Sequence, residues 1–238
     1  ASLHVTFCSG DESRAMEDAG FLPRTGIQYH WYNRGYDSFD DFLGALNSRK
    51  RKNLRKERKQ VRDAGYSFEV LSGDDLKAAH WDRFYAFYHD TSDRKWGQAY
   101  LTREFFDLLH ERVRDRTVLV AAFRDGDMVA GALNLIGTET LYGRNWGTVD
   151  RTPLLHFETC YYQAIDIAIE RGLKTVEAGA QGEHKIQRGY EPVLTHSAHL
   201  IADAGLRTAV ARFLDQERHH IAQDREFIVA EHSPFKQE

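Results

Sequence analysis

The sequence predicts a mixed α/β (α+β) protein in which a mostly antiparallel sheet is flanked by helices. Several short segments alternate apolar and polar residues, as strands do, and longer segments space their apolar residues as amphipathic helices do. Asp125-Gly126 stands between two apolar runs and is a strong signal for a β-hairpin. With 238 residues, 42% of them hydrophobic, the chain is long enough to bury a large core. We therefore expect a soluble globular protein.

The elements after Tyr66 follow a regular order. "YSFEVL" alternates as a strand, and a helix follows over "LKAAHWDRFYAFYHD", opened by Asp74 or Asp75. Thr102 is placed to cap a second helix, "REFFDLLHERV". The next three segments, "TVLVAAF", "MVAGALNLIG" and "TLYGRNWG", are separated by tight turns. They predict an antiparallel meander.

A crossover helix, two strands and a terminal helix complete the chain. "LLHFETCYYQAIDIAIERG" has helical spacing and ends at Gly172, and "KTVEAGA" and "VLTHSAHLIA" follow as strands. The segment "GLRTAVARFLDQERHHIAQDREFI" predicts a packing helix with a polar face. The order β-α-α-β-β-β-α-β-α-β, with one parallel step across the crossover helix, matches the GNAT acyltransferase fold.

An internal repeat predicts a partial second copy of this domain at the N-terminus. "GFLPRTGIQYH" (Gly20 to His30) and "GYEPVLTHSAH" (Gly189 to His199) share Gly, an aromatic residue, Pro and His at the same spacing. We expect residues 1–37 to be the tail of a first, truncated domain, 38–65 a basic linker helix, 66–202 a complete domain and 203–238 a C-terminal helix and tail. Ala1 stands where an initiator Met is expected and leads into a strand, "SLHVTF", so the natural start is expected upstream.

The linker is strongly basic. We expect one long helix, capped by Ser38 or Asp40, kinked near Ser48 and ended by Gly65. Its second half carries nine basic residues against the single acid Glu57: Arg49, Lys50, Arg51, Lys52, Arg55, Lys56, Arg58, Lys59 and Arg62. Like charges at this density destabilise a helix unless an anionic partner offsets them. A phosphate-binding helix is one interpretation, and a solvated charged face is the other.

Two segments resemble motifs of the Fem-type transferases. Arg51, Leu54, Arg55, Lys56 and Gly65 match their inter-domain motif, and Lys185 and Gly189 in "HKIQRGYEP" match their late motif. The chain resembles still more closely the Fem-like predicted N-acyltransferases of bacteria, also labelled peptidoglycan biosynthesis or recognition proteins, in "HWYNRGY", "FDDFL", "SRKRK", "LYGRNWG", "LHFETCYY" and "EAGAQGEHK". The resemblance implies a tandem pair of GNAT-like domains that transfers an acyl or aminoacyl group to an amine.

That reaction needs a base for the amine, donors for the oxyanion and an acid for the leaving group. Glu158 and Glu177 are expected near the strand carboxyl ends, where α/β sheets bind ligands. The candidate catalytic residues are Lys185, which also matches the Fem-type lysine, Glu158, Glu177, His184 and Tyr142. The candidate substrate-binding residues are Arg144, Trp146, Gln181, Gly182, Glu183, Arg188, Tyr190 and His156. Arg51, Lys52 and Arg55 are the candidates for binding donor phosphates.

Each candidate also has a structural interpretation. Glu158 also fits a helix-terminus carboxylate, and Glu177 fits an ion pair with Arg144 or Arg188. The histidines also fit hydrogen-bonding roles, and Cys160 lies in a helix beside aromatic residues, where burial makes a thiol inert.

Two donors remain open, acyl-CoA and aminoacyl-tRNA, as co-substrates rather than tightly bound cofactors. GNAT enzymes hold the pyrophosphate of coenzyme A on a loop with two small residues at a helix N-terminus. In "GRNWGTVDRTP", Arg144 and Gly147 fit the first half of that pattern, but Val149 replaces the second small residue and Asp150 adds negative charge. Aminoacyl-tRNA, the donor of the Fem-type transferases that the chain resembles, is therefore the competing donor.

Composition excludes several other classes. The net charge of −4 excludes a globally basic protein, and the sequence has no apolar run of transmembrane length and no signal-peptide pattern. Two cysteines, with no metal-ligand spacing among the histidines, predict a cytoplasmic protein without a metal site. The expected partners are a small-molecule or peptide amine acceptor and tRNA, with the oligomeric state undetermined. The alternative function is a non-catalytic GNAT-like module that binds an anionic polymer, nucleic acid or a cell-wall precursor, through the basic helix.

Overall fold

The structure, a computed structural model, describes residues 1–94, 97–179 and 182–236. The strands are β1 (Ser2–Cys8), β2 (Leu22–Tyr32), β3 (Tyr66–Ser72), β4 (Thr117–Arg124), β5 (Asp127–Ile136), β6 (Thr140–Thr148), β7 (Thr175–Glu177) and β8 (Glu191–Ile201). The helices are α1 (Gly10–Asp18), α2 (Phe39–Ala45), α3 (Ser48–Asp63), α4 (Ala78–Arg94), α5 (Arg103–Val113), α6 (Leu155–Phe157), α7 (Gln163–Glu170) and α8 (Ala204–His232).

The chain folds into two compact units. Unit 1 comprises residues 1–30 and 180–233, and unit 2 comprises residues 31–179 and 234–238. The predicted fold class is confirmed: the strands are mostly antiparallel, helices flank them, and the elements after Tyr66 follow the predicted GNAT-like order. The division expected at residues 37, 65 and 202 stays a prediction, because a grouping by spatial contacts does not test which segments are copies of one another.

Unit 1 contains an antiparallel sheet with the strand order β1-β8-β2. The two repeat segments form β2 and β8, and their pairing exchanges equivalent positions. Leu22 pairs with His199, and the repeat equivalents of these residues, Glu191 and His30, pair with each other. Any antiparallel pairing of two equivalent segments has this property, so the repeat stays a prediction. The long helix α8 follows β8, starting from its N-cap residue Asp203.

Unit 2 contains the strand order β7-β6-β5-β4-β3. Strands β3 to β6 form the predicted antiparallel meander, and β7 is parallel to β6 after the crossover helix. Strand β4 is buried along nearly its whole length, which explains its continuous apolar run. Its Leu119 and Ala121 pack with Trp81, Phe84 and further aromatic residues of α4 and α5. Among the described residues, no helix of either unit is long and apolar enough to cross a membrane.

The prediction of a single linker helix is wrong, because the segment forms two helices, α2 and α3. Ser38 caps α2 as predicted, but the helix ends at Leu46, whose backbone is extended. The Asn47 side chain then accepts a hydrogen bond from the backbone N–H of Lys50 and starts α3 afresh. The break lies at the expected kink. It is complete because Leu46 forms a β-bridge with Phe235 and the N–H of Asn47 donates to the carbonyl of Pro234.

Helix α4 packs against β6 so closely that only glycine fits at the contact. A Cβ added at Gly147 would lie 2.6 Å from the carbonyl carbon of Phe87, which is backbone and has no room to rotate away. Gly147 therefore has a packing role inside a strand. This segment corresponds in the chain to the pyrophosphate-binding region of GNAT enzymes, and here β6 continues through it to Thr148.

We expect Gly147→Ala to lower the free energy of unfolding by about 1–3 kcal/mol, because the added methyl group forces α4 and β6 apart. Gly44→Ala is the matched control: a Cβ at Gly44, near the end of α2, meets nothing within 4 Å and should stabilise the helix slightly. Denaturant unfolding of both variants measures the difference. Equal stability of the two variants would contradict this account of the contact.

Candidate functional site

A cleft begins where two parallel strands of unit 2 separate. Strand β7 pairs with β6 only from Thr140–Thr175 to Tyr142–Glu177, and β6 then continues alone on that side to Thr148. At the point of separation, a Cβ on Gly143 would lie 3.2 Å from the carbonyl oxygen of Glu177. Glycine thus keeps the strands in contact up to the last pair. Ligands of open α/β sheets bind in crevices at this end of the strands.

Two adjoining cavities form this cleft, the smaller of about 100 Å³ and the larger of about 350 Å³. Four residues line both cavities: Arg144, Asn145, Trp146 and His156. The smaller cavity is completed by Ala132, Leu133, Asn134, Gly143, Cys160, Tyr161, Ala178 and Gly179. The larger is completed by Tyr88, Thr91, Ser92, Gly97, Gln98 and Tyr100. Three predicted substrate-binding residues, Arg144, Trp146 and His156, therefore line one cleft.

A β-bulge places Arg144 in the cleft. Leu133 of β5 pairs with Asn145 and Asn134 pairs with Gly143, so Arg144 is the extra residue on β6. A bulge takes one residue out of the ladder and turns its side chain. The Nη2 of Arg144 donates a hydrogen bond of 2.6 Å to the hydroxyl of Tyr100. Tyr100 was not singled out from the sequence, since it lies 44 residues before Arg144.

Asn145 is the second cleft residue that sequence reasoning missed. Its side-chain Oδ1 is buried and has no hydrogen-bond partner within the described part of the chain. A buried carbonyl oxygen without a donor is unfavourable, and it can accept a hydrogen bond from a ligand that enters the cleft. The available signal was its position in "GRNWG", directly after Arg144, but nothing in the sequence shows the bulge.

The crossover helix supplies the opposite wall. It begins with α6, passes through one π-helical turn at Glu158–Tyr162 and continues as α7. The ring of His156 packs edge-on against Trp146, with ring centroids 5.3 Å apart, and against Tyr161. Cys160 and Tyr161 line the smaller cavity from the π-helical turn. Such turns are rare inside helices and often mark functional sites.

Glu158 faces the basic helix and is held there by an ion pair. Its carboxylate accepts hydrogen bonds from Arg58, the shortest 2.8 Å from Nη2, and from the side-chain amide of Gln163. Arg58 also binds Asp166 at 2.6 Å and lies over the ring of Phe39. Glu158 is only 2% exposed. These contacts favour the structural interpretation of Glu158 over the role of catalytic base.

Tyr142 and Glu177 face each other as the last pair of the parallel strands. Tyr142 is exposed, and Glu177 is half-buried beside the fully buried Val176. Burial raises the pKa of the Glu177 carboxyl above its ordinary value. A carboxylate with a raised pKa at the edge of a cleft is better suited to accept a proton near neutral pH than an exposed one.

The late-motif residues lie in unit 1. A 3₁₀-helical turn over Glu183–Arg188 carries His184 and Lys185, and it ends at Gly189, whose φ of 88° favours glycine. Lys185 is 1% exposed, Arg188 is buried and donates to the carbonyl oxygen of His184, and Tyr190 is fully buried. A Cβ at Gly182 would collide with the ring of His184. Gln181 and the side chain of Glu183 lie outside the described residues.

His30 of β2 is affected by the positive charge of Lys185. Burial, and then the positive charge of Lys185, lower the pKa of His30 to about 4. Burial also lowers the pKa of His184, and the charges of Arg188 and Lys185 lower it further. His30 is in contact with the side-chain oxygen of Gln28 at 3.2 Å. Unit 1 therefore holds a buried positive charge next to imidazoles that stay neutral.

The three phosphate-binding candidates lie on α3. Lys52 and Arg55 are exposed and Arg51 is partly exposed, while Leu54 and Val61 turn into the core. Arg55 donates to Asp40 over 3.0 Å, an exposed contact that contributes little. The described residues contain no cluster of three His, Cys, Asp or Glu side chains that could hold a metal ion.

Asp150 has a structural role in the turn after β6. It accepts hydrogen bonds from the hydroxyls of Tyr66 and Thr152 and from the backbone N–H of Thr152. Together with the packed Gly147, it occupies the region that corresponds to the pyrophosphate loop of GNAT enzymes.

The family profile of FemAB-like proteins, described as peptidoglycan biosynthesis/recognition, matches residues 1–237. No curated protein matches the chain. Among solved structures, it is similar to L-PGS from Bacillus licheniformis, with a TM-score of 0.64 and 12% identity over 87% of this chain and 70% of that chain.

Two further solved structures are similar. The C-terminal domain of a putative lysylphosphatidylglycerol synthetase from Agrobacterium fabrum has a TM-score of 0.62 and 12% identity, covering 92% of this chain and 72% of that chain. FemX has a TM-score of 0.59 and 12% identity, covering 88% and 74%. At this identity the likeness shows the fold alone.

We expect Glu158→Gln to lower the free energy of unfolding by about 3 kcal/mol, because it leaves buried Arg58 with half of its carboxylate partners. Glu170→Gln, an exposed change on the same crossover helix, is the control and should have little effect. Denaturant unfolding gives both values. A fully stable Glu158→Gln protein would return Glu158 to the catalytic candidates.

We expect Glu177→Gln to raise the thermal midpoint at neutral pH. A carboxyl whose pKa is raised in the folded state opposes folding when it is ionised, and glutamine removes that charge. The gain should vanish below the ordinary pKa of 4.5, where Glu177 is protonated in both the folded and unfolded states. Glu69→Gln, at an exposed position of β3, should show no such pH dependence. Thermal scans across this pH range make the comparison, and a loss of stability at neutral pH would refute it.

Proposed function

This chain belongs to the FemAB-like family, and from that premise we propose that it is an N-acyltransferase that transfers an acyl or aminoacyl group to an amine acceptor. One observation carries the proposal: β6 and β7 part after Tyr142–Glu177 and open a polar cleft at the strand ends. The reaction is placed at this cleft. Cell-wall peptide or amino-acid modification in the cytoplasm is the setting that we propose, in line with the family description.

The chemistry is the attack of a neutral amine on an acyl carbonyl carbon. The C–N bond forms, the bond from that carbon to the oxygen or sulfur of the donor breaks, and the amine loses a proton. The enzyme must stabilise the oxyanion of the tetrahedral intermediate and accept the proton.

In our proposal the bulged segment of β6 stabilises the oxyanion. Arg144 has no pairing partner on β5, and the pairing of β6 with β7 ends at Tyr142, so we propose that the backbone N–H of this segment donates to the oxyanion. Backbone N–H groups fixed by a sheet need no reorganisation during the reaction.

Glu177 is the proposed base. It is the last paired residue before the cleft, and burial raises its pKa. Tyr142, its cross-strand neighbour, is the proposed acid for the leaving group. The ion pair with Arg58 leaves Glu158 a positioning role in the crossover helix instead.

Aminoacyl-tRNA is the donor that we favour over acyl-CoA. GNAT enzymes bind the pyrophosphate of coenzyme A in a loop. The corresponding region of this chain is a strand packed on α4, followed by a turn built around Asp150. Helix α3 instead presents an exposed basic side, where Arg49, Lys52, Arg55, Lys56, Lys59 and Arg62 lie. Such a surface binds a phosphate backbone without sequence preference. The same side also supports the alternative of a non-catalytic module that binds an anionic polymer.

A screen of aminoacyl-tRNAs and acyl-CoAs against small amines tests the proposal. We expect transfer from aminoacyl-tRNA, a loss of activity at neutral pH in Glu177→Gln with partial recovery at high pH, and unchanged activity in Glu69→Gln. Lys185→Met, which tests the sequence-based role of Lys185 in stabilising charge, should lose about a hundredfold in rate.

Absence of transfer with every donor, together with salt-dependent tRNA binding, would favour the binding module. Transfer that is untouched by Glu177→Gln would remove Glu177 from the mechanism but keep the enzyme.

A further inference from the structure

The described lining of the cleft contains one formally charged side chain. Of the described residues that line its two cavities, Arg144 is the only Arg, Lys, Asp or Glu side chain. The remaining walls are aromatic, small and polar, or apolar, as in Trp146, Thr91 and Leu133. The proposed base, Glu177, lies at the edge of the cleft and outside this lining, so the cation on the walls favours an anionic group on the ligand.

Arg144, whose side chain is exposed, differs from three other arginines of unit 2. Arg58, Arg103 and Arg124 each bind a carboxylate. Arg144 donates to the hydroxyl of Tyr100 and lies 6.0 Å from the centre of its ring, and it forms no ion pair with any described carboxylate. A guanidinium has five N–H donors in a planar fork, so the bond to Tyr100 orients it and leaves donors for a bidentate anion.

The next residue offers the complementary group. The Oδ1 of Asn145 is a buried acceptor with no donor among the described residues. An amine N–H is the donor that an acyl acceptor brings. Because Arg144 and Asn145 are consecutive and both line both cavities, the anion and the amine of one ligand must be only a few bonds apart.

We propose, resting on the proposed function, that the acceptor is an amino acid whose free carboxylate lies close to the amine that is acylated. Arg144 binds the carboxylate, and Asn145 accepts a hydrogen bond from the amine and orients it towards the acyl carbon. The larger cavity, about 350 Å³, has the volume of a small-molecule site.

The experiment combines acceptor and residue changes. Acyl transfer is measured to a free amino acid, to its carboxamide and to a dipeptide, with rates corrected to the neutral fraction of each amine. The wild-type protein should prefer the free amino acid over the carboxamide by about tenfold to a hundredfold in kcat/KM, as expected for a charge-assisted hydrogen bond. Arg144→Gln should reduce that ratio to near one, and Arg144→Lys should restore part of it.

Two further variants separate the contributions. Asn145→Ala should lower kcat/KM for the amino acid and the carboxamide alike, because it removes the contact to the amine. Arg112→Gln, an exposed change on α5 outside the cleft, is the matched control and should leave the preference intact. A dipeptide acylated as well as the free amino acid would overturn the proposed proximity of amine and carboxylate.

The outcomes distinguish this inference from the function on which it rests. Efficient transfer with no preference for the carboxylate, unchanged in Arg144→Gln, overturns the acceptor class and leaves the transferase. If no amine is acylated, the proposed function fails, and calorimetric binding of the amino acid and its carboxamide decides the inference. Binding that requires the carboxylate and is lost in Arg144→Gln supports it, and absence of binding overturns it.

Discussion

The ion pair between Arg58 and Glu158 is the interaction on which the architecture of unit 2 depends. Arg58 belongs to the basic helix α3, and its guanidinium reaches across to Glu158 and Asp166 of the crossover helix while covering the ring of Phe39. Both partners are largely removed from water, so losing either would leave an uncompensated charge. One basic side chain is thus turned inwards to anchor α3, and the others remain outside. The same contact holds the crossover helix, from which His156 of α6 and Cys160 of the π-helical turn form a wall of the cleft.

The cleft is made from departures from regular structure. A bulge takes Arg144 out of the β5–β6 ladder, β7 stops after Glu177, and the crossover helix widens to a π-helical turn. Leu154, just before that helix, has a φ of 70°, which is unfavourable for a leucine. Each departure leaves backbone or side-chain groups outside the regular hydrogen-bond pattern. Regular strands and helices surround these three irregular segments. Their backbone and side-chain groups are therefore held in position although they lie outside the regular hydrogen-bond pattern.

Unit 1 shows a different use of charge. Lys185 is buried, and its charge together with burial keeps His30 neutral far below the ordinary pKa of histidine. The repeat segments β2 and β8 that frame this region pair with their equivalent positions exchanged. Antiparallel pairing of two equivalent segments has this property in every register, so their tandem origin stays a prediction. Lys185, which matches the Fem-type lysine, is thus a buried residue, and its role in charge stabilisation stays a prediction.

The sequence by itself determined the element order after Tyr66, the hairpin at Asp125-Gly126, the cap of the linker at Ser38 and the family, because periodicity, turn residues and motifs are local properties. It also identified Arg144, Trp146 and His156, which stand in or near one motif. Only the tertiary structure decided that Glu158 binds Arg58, 100 residues away, that Gly147 packs on Phe87, and that Asn145 and Tyr100 belong to the cleft. The physical reason is that a buried ion pair, a close backbone contact and a bulge depend on which distant residues meet. A one-residue shift in β6 changes which side chains reach the cleft, and no local pattern encodes that shift.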